Sequence, residues 1–355
     1  MAIKIGIVGC GWIVENGHIP ALIKNEKYTI LSLFDINYDK VTSLGQKFNI
    51  DNICYSFDEF CNSGIEAAIV ATPNYTHFEY TQKLIKCGIH VLCEKPVVIN
   101  VQEINQLKSA LQENKVIYLP GFVNRWREDI QIIQKMVESK KIGDITKIEA
   151  GWIRRNGVPK PGTWFTNKEL SGGGVLIDLG THILDICLMI IGDEHTDEIK
   201  VNTTMLSDNC DCGNGQAHWF GKEYGLKYKI NVESGAKAAI RFANGIELNL
   251  HLKWQGDSTA DYTYFNIIGE NGTIELKRLF GFSNERQYKD SLVIKNKNEE
   301  SIDIDLNHNS TSYAFDKMYE YFYKAIIEQR QSYINIQDAY RVVCLIEKLY
   351  KSNEK

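Results

Sequence analysis

No CxxC pair occurs in the chain, and its nine cysteines are scattered. An odd number spread over 355 residues does not make a disulfide framework; it suits thiols kept reduced in a cytoplasm. Cys10, Cys87, Cys93 and Cys187 stand inside apolar or packed runs, the usual setting of buried thiols. Cys210 and Cys212 lie close together, but with His218 they offer three donors and no evident fourth, so no metal centre is expected. No apolar stretch approaches the roughly 18–20 residues that span a bilayer, so no membrane partner is expected. The first residues enter a strand directly, without a basic n-region or cleavage site, and no signal peptide is expected. No Lys/Arg cluster forms a phosphate-tracking stripe, and a net charge of −5 disfavours nucleic acid. There is no internal repeat.

What the chain does have is length and order. With 44% hydrophobic and 24% charged residues it has a globular composition, and its length suits two domains of about 100–200 residues each. The first part alternates short apolar runs with helical stretches, the pattern of βαβ units on a parallel sheet. The strands are predicted at Ile3–Val8, Ile30–Phe34, Ala67–Ala71, His90–Cys93 and Val116–Gly121. Helices are predicted to start near His18, Tyr38, Ser56, Asn74 and Val101, with Ser56 and Asn100 as N-caps. Beyond Gly121 come helices at about Asp129–Ser139 and Val175–Ile191, then period-2 segments. In Glu247–Trp254 the apolar Leu248, Leu250, Leu252 and Trp254 alternate with Asn249, His251 and Lys253, predicting an antiparallel sheet with one apolar face. Strands are also predicted at Lys227–Val232 and elsewhere, with Asn244-Gly245 and Asn271-Gly272 as hairpin turns. Two helices, Tyr313–Gln329 and Ile336–Lys351, close the chain.

Gly9-Cys10-Gly11-Trp12-Ile13-Val14 follows the first strand. The first glycine permits a tight turn, the second lets a pyrophosphate approach the backbone, and a helix N-terminus would stabilise its charge. Val14 stands where this fingerprint has Gly or Ala. Asp35 ends the second strand; a carboxylate there accepts both hydroxyls of an adenosine ribose and repels a 2′-phosphate, favouring NAD over NADP. The alternative is that Asp35 caps the next helix. The third strand runs into Ala71-Thr72-Pro73-Asn74, with His77 on the following first turn. Lys95, in Glu94-Lys95-Pro96, puts an amine at the carboxyl end of the fourth strand, where such sheets bind ligands.

Farther on, Gly172-Gly173-Gly174 lets the backbone approach another surface, read as cofactor or substrate. Asp178, His182 and Asp185 then share one face of an otherwise apolar helix. Three polar groups there must be satisfied somewhere; they form a structural Asp–His pair or an acid–base site, the latter because histidine titrates near neutrality. Arg154, Arg155 and Lys160 meet a phosphate or carboxylate, or form a solvated surface. Trp164 stacks on the apolar face of a sugar, or with Phe165 plugs the domain junction.

On these residues the chain resembles the glucose–fructose oxidoreductase / inositol dehydrogenase (Gfo/Idh/MocA) family along essentially its whole length. The elements are Gly9–Gly11, Asp35, Ala71–Asn74 with His77, Glu94–Pro96, Asn124-Arg125, Gly172–Gly174 with Asp178 and His182, Val232-Glu233 and Gly269–Ile274. Glu-Lys-Pro together with GGGxxxDxxxH is the specific combination; the segment Leu206–Lys227 matches no common family element. The resemblance implies an α/β protein: a Rossmann dinucleotide-binding domain (1–122) and an α+β domain (123–355). The latter would have a large, mostly antiparallel open sheet that makes homodimers or homotetramers. It implies reversible hydride transfer between NAD and a secondary alcohol of a small sugar or polyol. Gly9, Gly11, Trp12, Ile13, Asp35, Thr72, Pro73, Asn74, His77, Glu94, Lys95 and Asn124 would bind the cofactor. Lys95, Arg125, Arg154, Trp164, Asp178 and His182 would meet the substrate. His182 would be the general base, Lys95 would stabilise the developing alkoxide, and Asp178 would orient the imidazole. Two other readings share these motifs: a glycosidase that keeps its NAD bound, and a sensor that binds nucleotide without catalysis.

Overall fold

A computed structural model of the chain describes residues 2–206, 228–255, 260–282, 289–298, 300–307, 311–331 and 333–353. Cys210, Cys212 and His218 lie outside them, as does the unmatched segment from residue 207 onward. The described residues form two compact units: those up to Val123 with Phe315–Val343, and those of 124–314 with the last turns from Cys344.

The first unit is built on β1 (Ile3–Val8), α1 (Ile19–Ile23), β2 (Tyr28–Phe34), α2 (Tyr38–Phe48), α3 (Phe57–Cys61), β3 (Ala67–Val70), α4 (Asn74–Lys86), β4 (His90–Glu94), α5 (Val101–Glu113) and β5 (Tyr118–Gly121). The strands lie in the order β2-β1-β3-β4-β5, all parallel. Ala67, Ala68, Ile69 and Val70 are all fully buried, as expected of a central strand covered on both faces. A further strand is reduced to one parallel bridge, Ile53 to Leu33, on the outer edge of β2. The sheet order reverses beside β1, so the loops after β1 and β3 open together at the carboxyl edge, where α/β sheets bind ligands. The predicted caps are present: Ser56 accepts from the Glu59 amide at 3.1 Å and Asn100 from the Glu103 amide at 2.9 Å. One boundary differs. The first helix begins at Trp12, not near His18, and passes through a π-helical turn at Val14–His18 before α1.

The second unit has α6 (Glu128–Glu138), β6 (Ile145–Ile153), the short α7 (Lys168–Ser171), α8 (Val175–Ile191), β7 (Thr196–Met205), β8 (Glu233–Phe242), β9 (Glu247–Lys253), β10 (Tyr262–Gly269), β11 (Gly272–Arg278), β12 (Ser291–Asn296) and β13 (Ser301–Asp303). Its eight strands run β13-β12-β11-β10-β6-β9-β8-β7. Every pairing is antiparallel except β6 with β9. Leu248, Leu250 and Leu252 point into the core and are at most 3% exposed, matching the period-2 reading. Against that face lies α8, packed on β6, β8 and β9. Residues 228–232 are not a strand, whereas β13 had no sequence signal. The helical stretch Lys168–Ile191 is, by length and composition, apolar enough to cross a bilayer, contrary to the sequence reading, but 89% of its apolar window is buried inside the protein. It is the core helix of this unit. The chain closes with α9 (Thr311–Ile327) and α10 (Ile336–Asn353).

Candidate active site

In the first unit Gly9 has φ +94°, and a Cβ there would press on the Ala71 carbonyl, so the loop after β1 closes tightly against the end of β3. At Gly11 a Cβ would meet nothing within 4 Å, leaving open space over the backbone where the helix begins. Asp35 is fixed beside it: Oδ2 accepts the Cys10 amide at 2.7 Å and Oδ1 the Asn37 amide at 2.8 Å. The helix cap is Asn37, which accepts from the Lys40 amide at 3.0 Å. Asp35 is therefore tied to the glycine loop and does not serve as the cap of α2. Trp12 and Ile13, partly exposed, are the first helical residues. A carboxylate held beside a glycine loop, with room over the second glycine, fits the ribose and pyrophosphate of a dinucleotide.

Thr72 and Pro73 follow β3, and Pro73 occupies the N-cap position of α4. Asn74 and His77 are buried on that helix. The His77 ring lies between two carbonyls, Nδ1 at 2.7 Å from Pro96 O and Nε2 at 2.7 Å from Thr72 O. It thus joins the turn after β3 to the turn after β4. Burial lowers the His77 pKa, opposed by these carbonyls and by Glu94. The Glu94 carboxylate accepts the Lys95 amide at Oε2, 3.1 Å, and meets His18 Nε2 at Oε1, 3.0 Å. His18 had drawn no functional reading from the sequence. Fully buried, it also meets the Tyr319 hydroxyl through Nδ1 at 2.7 Å.

In the second unit Asp178 and His182 stand one turn apart on α8. Asp178 Oδ2 accepts the Trp254 indole N–H at 2.9 Å. His182, 9% exposed, lies with its ring centroid 5.8 Å from that of Trp152. The Arg154 guanidinium lies 5.0 Å from a Trp152 ring centroid. Burial lowers the Arg154 pKa, while Asp178 and Asp261 favour its charge. The imidazole of His182 and the guanidinium of Arg154 thus both lie by Trp152, with the Asp178 carboxylate acting on the latter.

Asp185 has a different partner. It forms a buried bidentate pair with Arg125, Oδ2 to Nε at 2.8 Å and Oδ1 to Nη2 at 2.6 Å. Arg125, read from the sequence as a substrate contact, is taken up inside the fold, 2% exposed. Asn124 is buried as well. Trp164 stacks on Phe165 with centroids 3.7 Å apart.

The glycine run has a different partner from the one its sequence suggested. A Cβ at Gly173 would collide with the Tyr350 hydroxyl, and one at Gly174 with the Glu233 backbone. The buried Glu233 carboxylate accepts the Gly174 amide at 3.0 Å, the Leu176 amide at 2.9 Å and the Tyr350 hydroxyl at 2.8 Å. A carboxylate from β8 therefore caps α8, one turn before Asp178, where the helix dipole favours negative charge. Burial raises the Glu233 pKa, offset by these donors. Sequence gave Glu233 only as part of the resemblance, and nothing local marked Tyr350.

These features define an NAD-binding Rossmann unit joined in one chain to an α+β unit. The description "Oxidoreductase family, NAD-binding Rossmann fold" matches residues 3–122, and the GFO/IDH/MocA C-terminal domain matches residues 130–275. The chain belongs to the GFO/IDH/MocA family, and it is an oxidoreductase. It is 29% identical over 287 residues to a protein of Amycolatopsis mediterranei (strain S699) provisionally named a UDP-kanosamine synthase oxidoreductase subunit, covering 81% of this chain and 78% of that one. It is 25% identical over 246 residues to D-glucoside 3-dehydrogenase of Escherichia coli (strain K12), covering 68% of each. Its fold superposes on levoglucosan dehydrogenase, solved with NADH and levoglucosan, at a TM-score of 0.83 and 18% identity, covering 100% of this chain and 98% of that one.

Proposed function

We propose that the protein is an NAD(H)-dependent dehydrogenase of a sugar or cyclitol, acting on a secondary ring hydroxyl, most specifically the 3-hydroxyl of a glucose-type ring. The observation that carries this reading is Asp178 and His182 one turn apart near the capped end of α8, within a family whose relatives include a D-glucoside 3-dehydrogenase. A nicotinamide dinucleotide held by Gly9, Gly11 and Asp35 would supply the hydride acceptor for oxidation of the alcohol. Gly9 and Gly11 admit the pyrophosphate, and Asp35 accepts the ribose hydroxyls. Thr72, Pro73, Asn74 and Glu94 border the same carboxyl edge.

During oxidation His182 Nε2 takes the hydroxyl proton as general base. Lys95 donates a hydrogen bond to the reacting oxygen and stabilises the alkoxide charge. Asp178, held by the Trp254 indole, orients the imidazole and binds a substrate hydroxyl. Arg154, beside Asp178, binds a further substrate oxygen, and Trp164 offers an aromatic face. Arg125 has no part in this scheme, because its guanidinium is engaged by Asp185.

A panel of free sugars, glycosides, sugar phosphates, nucleotide sugars and inositols, followed by NADH absorbance, tests the reading. Oxidation of a glucose-type ring at carbon 3, located by NMR of the product, is expected. Activity confined to non-carbohydrate alcohols would overturn the substrate class. Glycoside cleavage without net NADH formation would replace the dehydrogenase by a glycosidase.

We also propose that the protein associates through the sheet face opposite α8. That face carries Lys147, Glu149, Lys237, Arg241, Tyr262 and Tyr264, with the two tyrosine rings stacked at 6.2 Å. Light scattering at micromolar concentration should report a dimer or tetramer; a monomer would refute the association.

A further inference from the structure

We propose that His18 is a positioning residue for Lys95, acting through Glu94 and anchored by Tyr319. It rests on the catalytic role given above to Lys95, and it names a residue outside the Asp178–His182 pair.

The argument begins with what a buried carboxylate requires. Glu94 is 7% exposed, and a carboxylate out of water must have its oxygens hydrogen-bonded. One oxygen accepts the Lys95 amide and the other faces His18 Nε2. An ionised carboxylate can only accept, so Nε2 carries the proton and donates. In the neutral ring Nδ1 then accepts from the Tyr319 hydroxyl. In this tautomer the hydrogen bonds converge on Glu94: Tyr319 donates to His18, and His18 and the Lys95 amide both donate to Glu94.

The surroundings leave this histidine little freedom. Phe315 stands edge-on to its ring, centroids 5.1 Å apart at 87°. Phe315 fits there because Gly17 has no Cβ, which would lie 2.8 Å from the ring. The Tyr319 carbonyl in turn accepts the Tyr28 hydroxyl at 2.8 Å, so α9 is held to β2. A histidine locked on both nitrogens and walled by an aromatic edge fixes the rotamer of Glu94. Glu94 fixes the peptide from which the Lys95 side chain departs. Misplacing a catalytic group by about 1 Å costs on the order of 10²-fold in rate.

Two replacements separate the two ring nitrogens. The amide of Gln reaches the place of Nε2, and that of Asn the place of Nδ1. His18→Gln keeps a donor for Glu94, whereas His18→Asn keeps only the contact to Tyr319. Amide hydrogen exchange of the peptide carrying Lys95 reads the Glu94–Lys95 bond without any substrate. His18→Asn should speed exchange at Lys95 at least about 10-fold and lower kcat about 10–10²-fold with little change in KM for NAD. His18→Gln, at a matched melting temperature, should keep both near wild type. Lys95→Ala is assayed alongside. Equal exchange and turnover in His18→Asn and His18→Gln would overturn the positioning role. If Lys95→Ala itself turned over like wild type, the role of Lys95 would fall, while the exchange difference would still decide what His18 does.

Discussion

The guanidinium of Arg125 donates to both carboxylate oxygens of Asp185, with both groups 2% exposed. Arg125 follows β5 and Asp185 stands one turn past His182, so the pair fixes α8 on the side that carries His182. A buried ion pair adds little net stability over an apolar pair of similar volume, but losing one partner strands a charge. Arg125→Met alone and Asp185→Leu alone should each destabilise by about 3–5 kcal/mol in urea unfolding, while the double replacement should recover most of that loss. Additive losses in the double mutant would show that the two side chains do not act as a pair.

His77 gives the pH dependence of the first unit a definite sign. Burial holds its pKa below the ordinary imidazole value of 6.5. Below that value the unfolded chain takes up a proton before the folded chain does. The contribution to stability is therefore complete above pH 6.5 and is lost as pH falls towards the folded pKa. His90 and His251 are lowered by burial as well, so the comparison must be made within one background. Thermal unfolding of wild type and His77→Gln between about pH 5 and 8 should show a shallower acid loss in the variant. Parallel curves would remove His77 from the titration.

The place of Asp35 is legible in the sequence and the contacts of His18 are not, which is a matter of distance along the chain. Asp35 is announced locally, by a strand before it and a glycine loop at the expected interval. The partners of His18 are 76 and 301 residues away, and a lone histidine on a helical stretch has no local signature. The same holds for Asp185, whose periodicity put it on the face of His182 but whose Arg125 partner lies 60 residues earlier. The glycine run was legible as a close approach, yet not as an approach to Glu233 and Tyr350. Strands were easier. The inward Leu248, Leu250 and Leu252 have a period of two that only a half-buried strand satisfies. By contrast, β13 is three exposed residues at a sheet edge, too short to show any period.

The roles given to Lys95, Asp178 and His182 separate binding from chemistry. Lys95→Ala and His182→Ala should each leave NADH affinity nearly unchanged and cost about 10²–10⁴ in turnover. Asp178→Asn should fall in the same range, because it weakens the orientation of the imidazole while keeping an acceptor for Trp254. Fluorescence titration with NADH and steady-state kinetics on the oxidised sugar supply the two readouts. Wild-type turnover in His182→Ala would take it out of the mechanism.

The preference for NAD over NADP proposed from Asp35 can be tested at that residue. Its carboxylate is fixed by the Cys10 and Asn37 amides, so it cannot swing away from a 2′-phosphate without giving up two hydrogen bonds to the backbone. A dianionic phosphate beside a fixed carboxylate is repelled, whereas a ribose diol donates to it. NAD(H) should therefore bind tighter than NADP(H). Asp35→Ser should weaken NAD(H) by about 10-fold, the loss of one or two hydrogen bonds to a charged group, and narrow or reverse the preference. Part of the NAD(H) loss would come from the loop itself, since serine cannot receive both the Cys10 and Asn37 amides. Titration of both cofactors against intrinsic fluorescence separates these effects: loosening of the loop weakens both cofactors alike, whereas relief of repulsion strengthens NADP(H) alone. A native preference for NADP(H) would overturn the assignment of Asp35 as the selecting group.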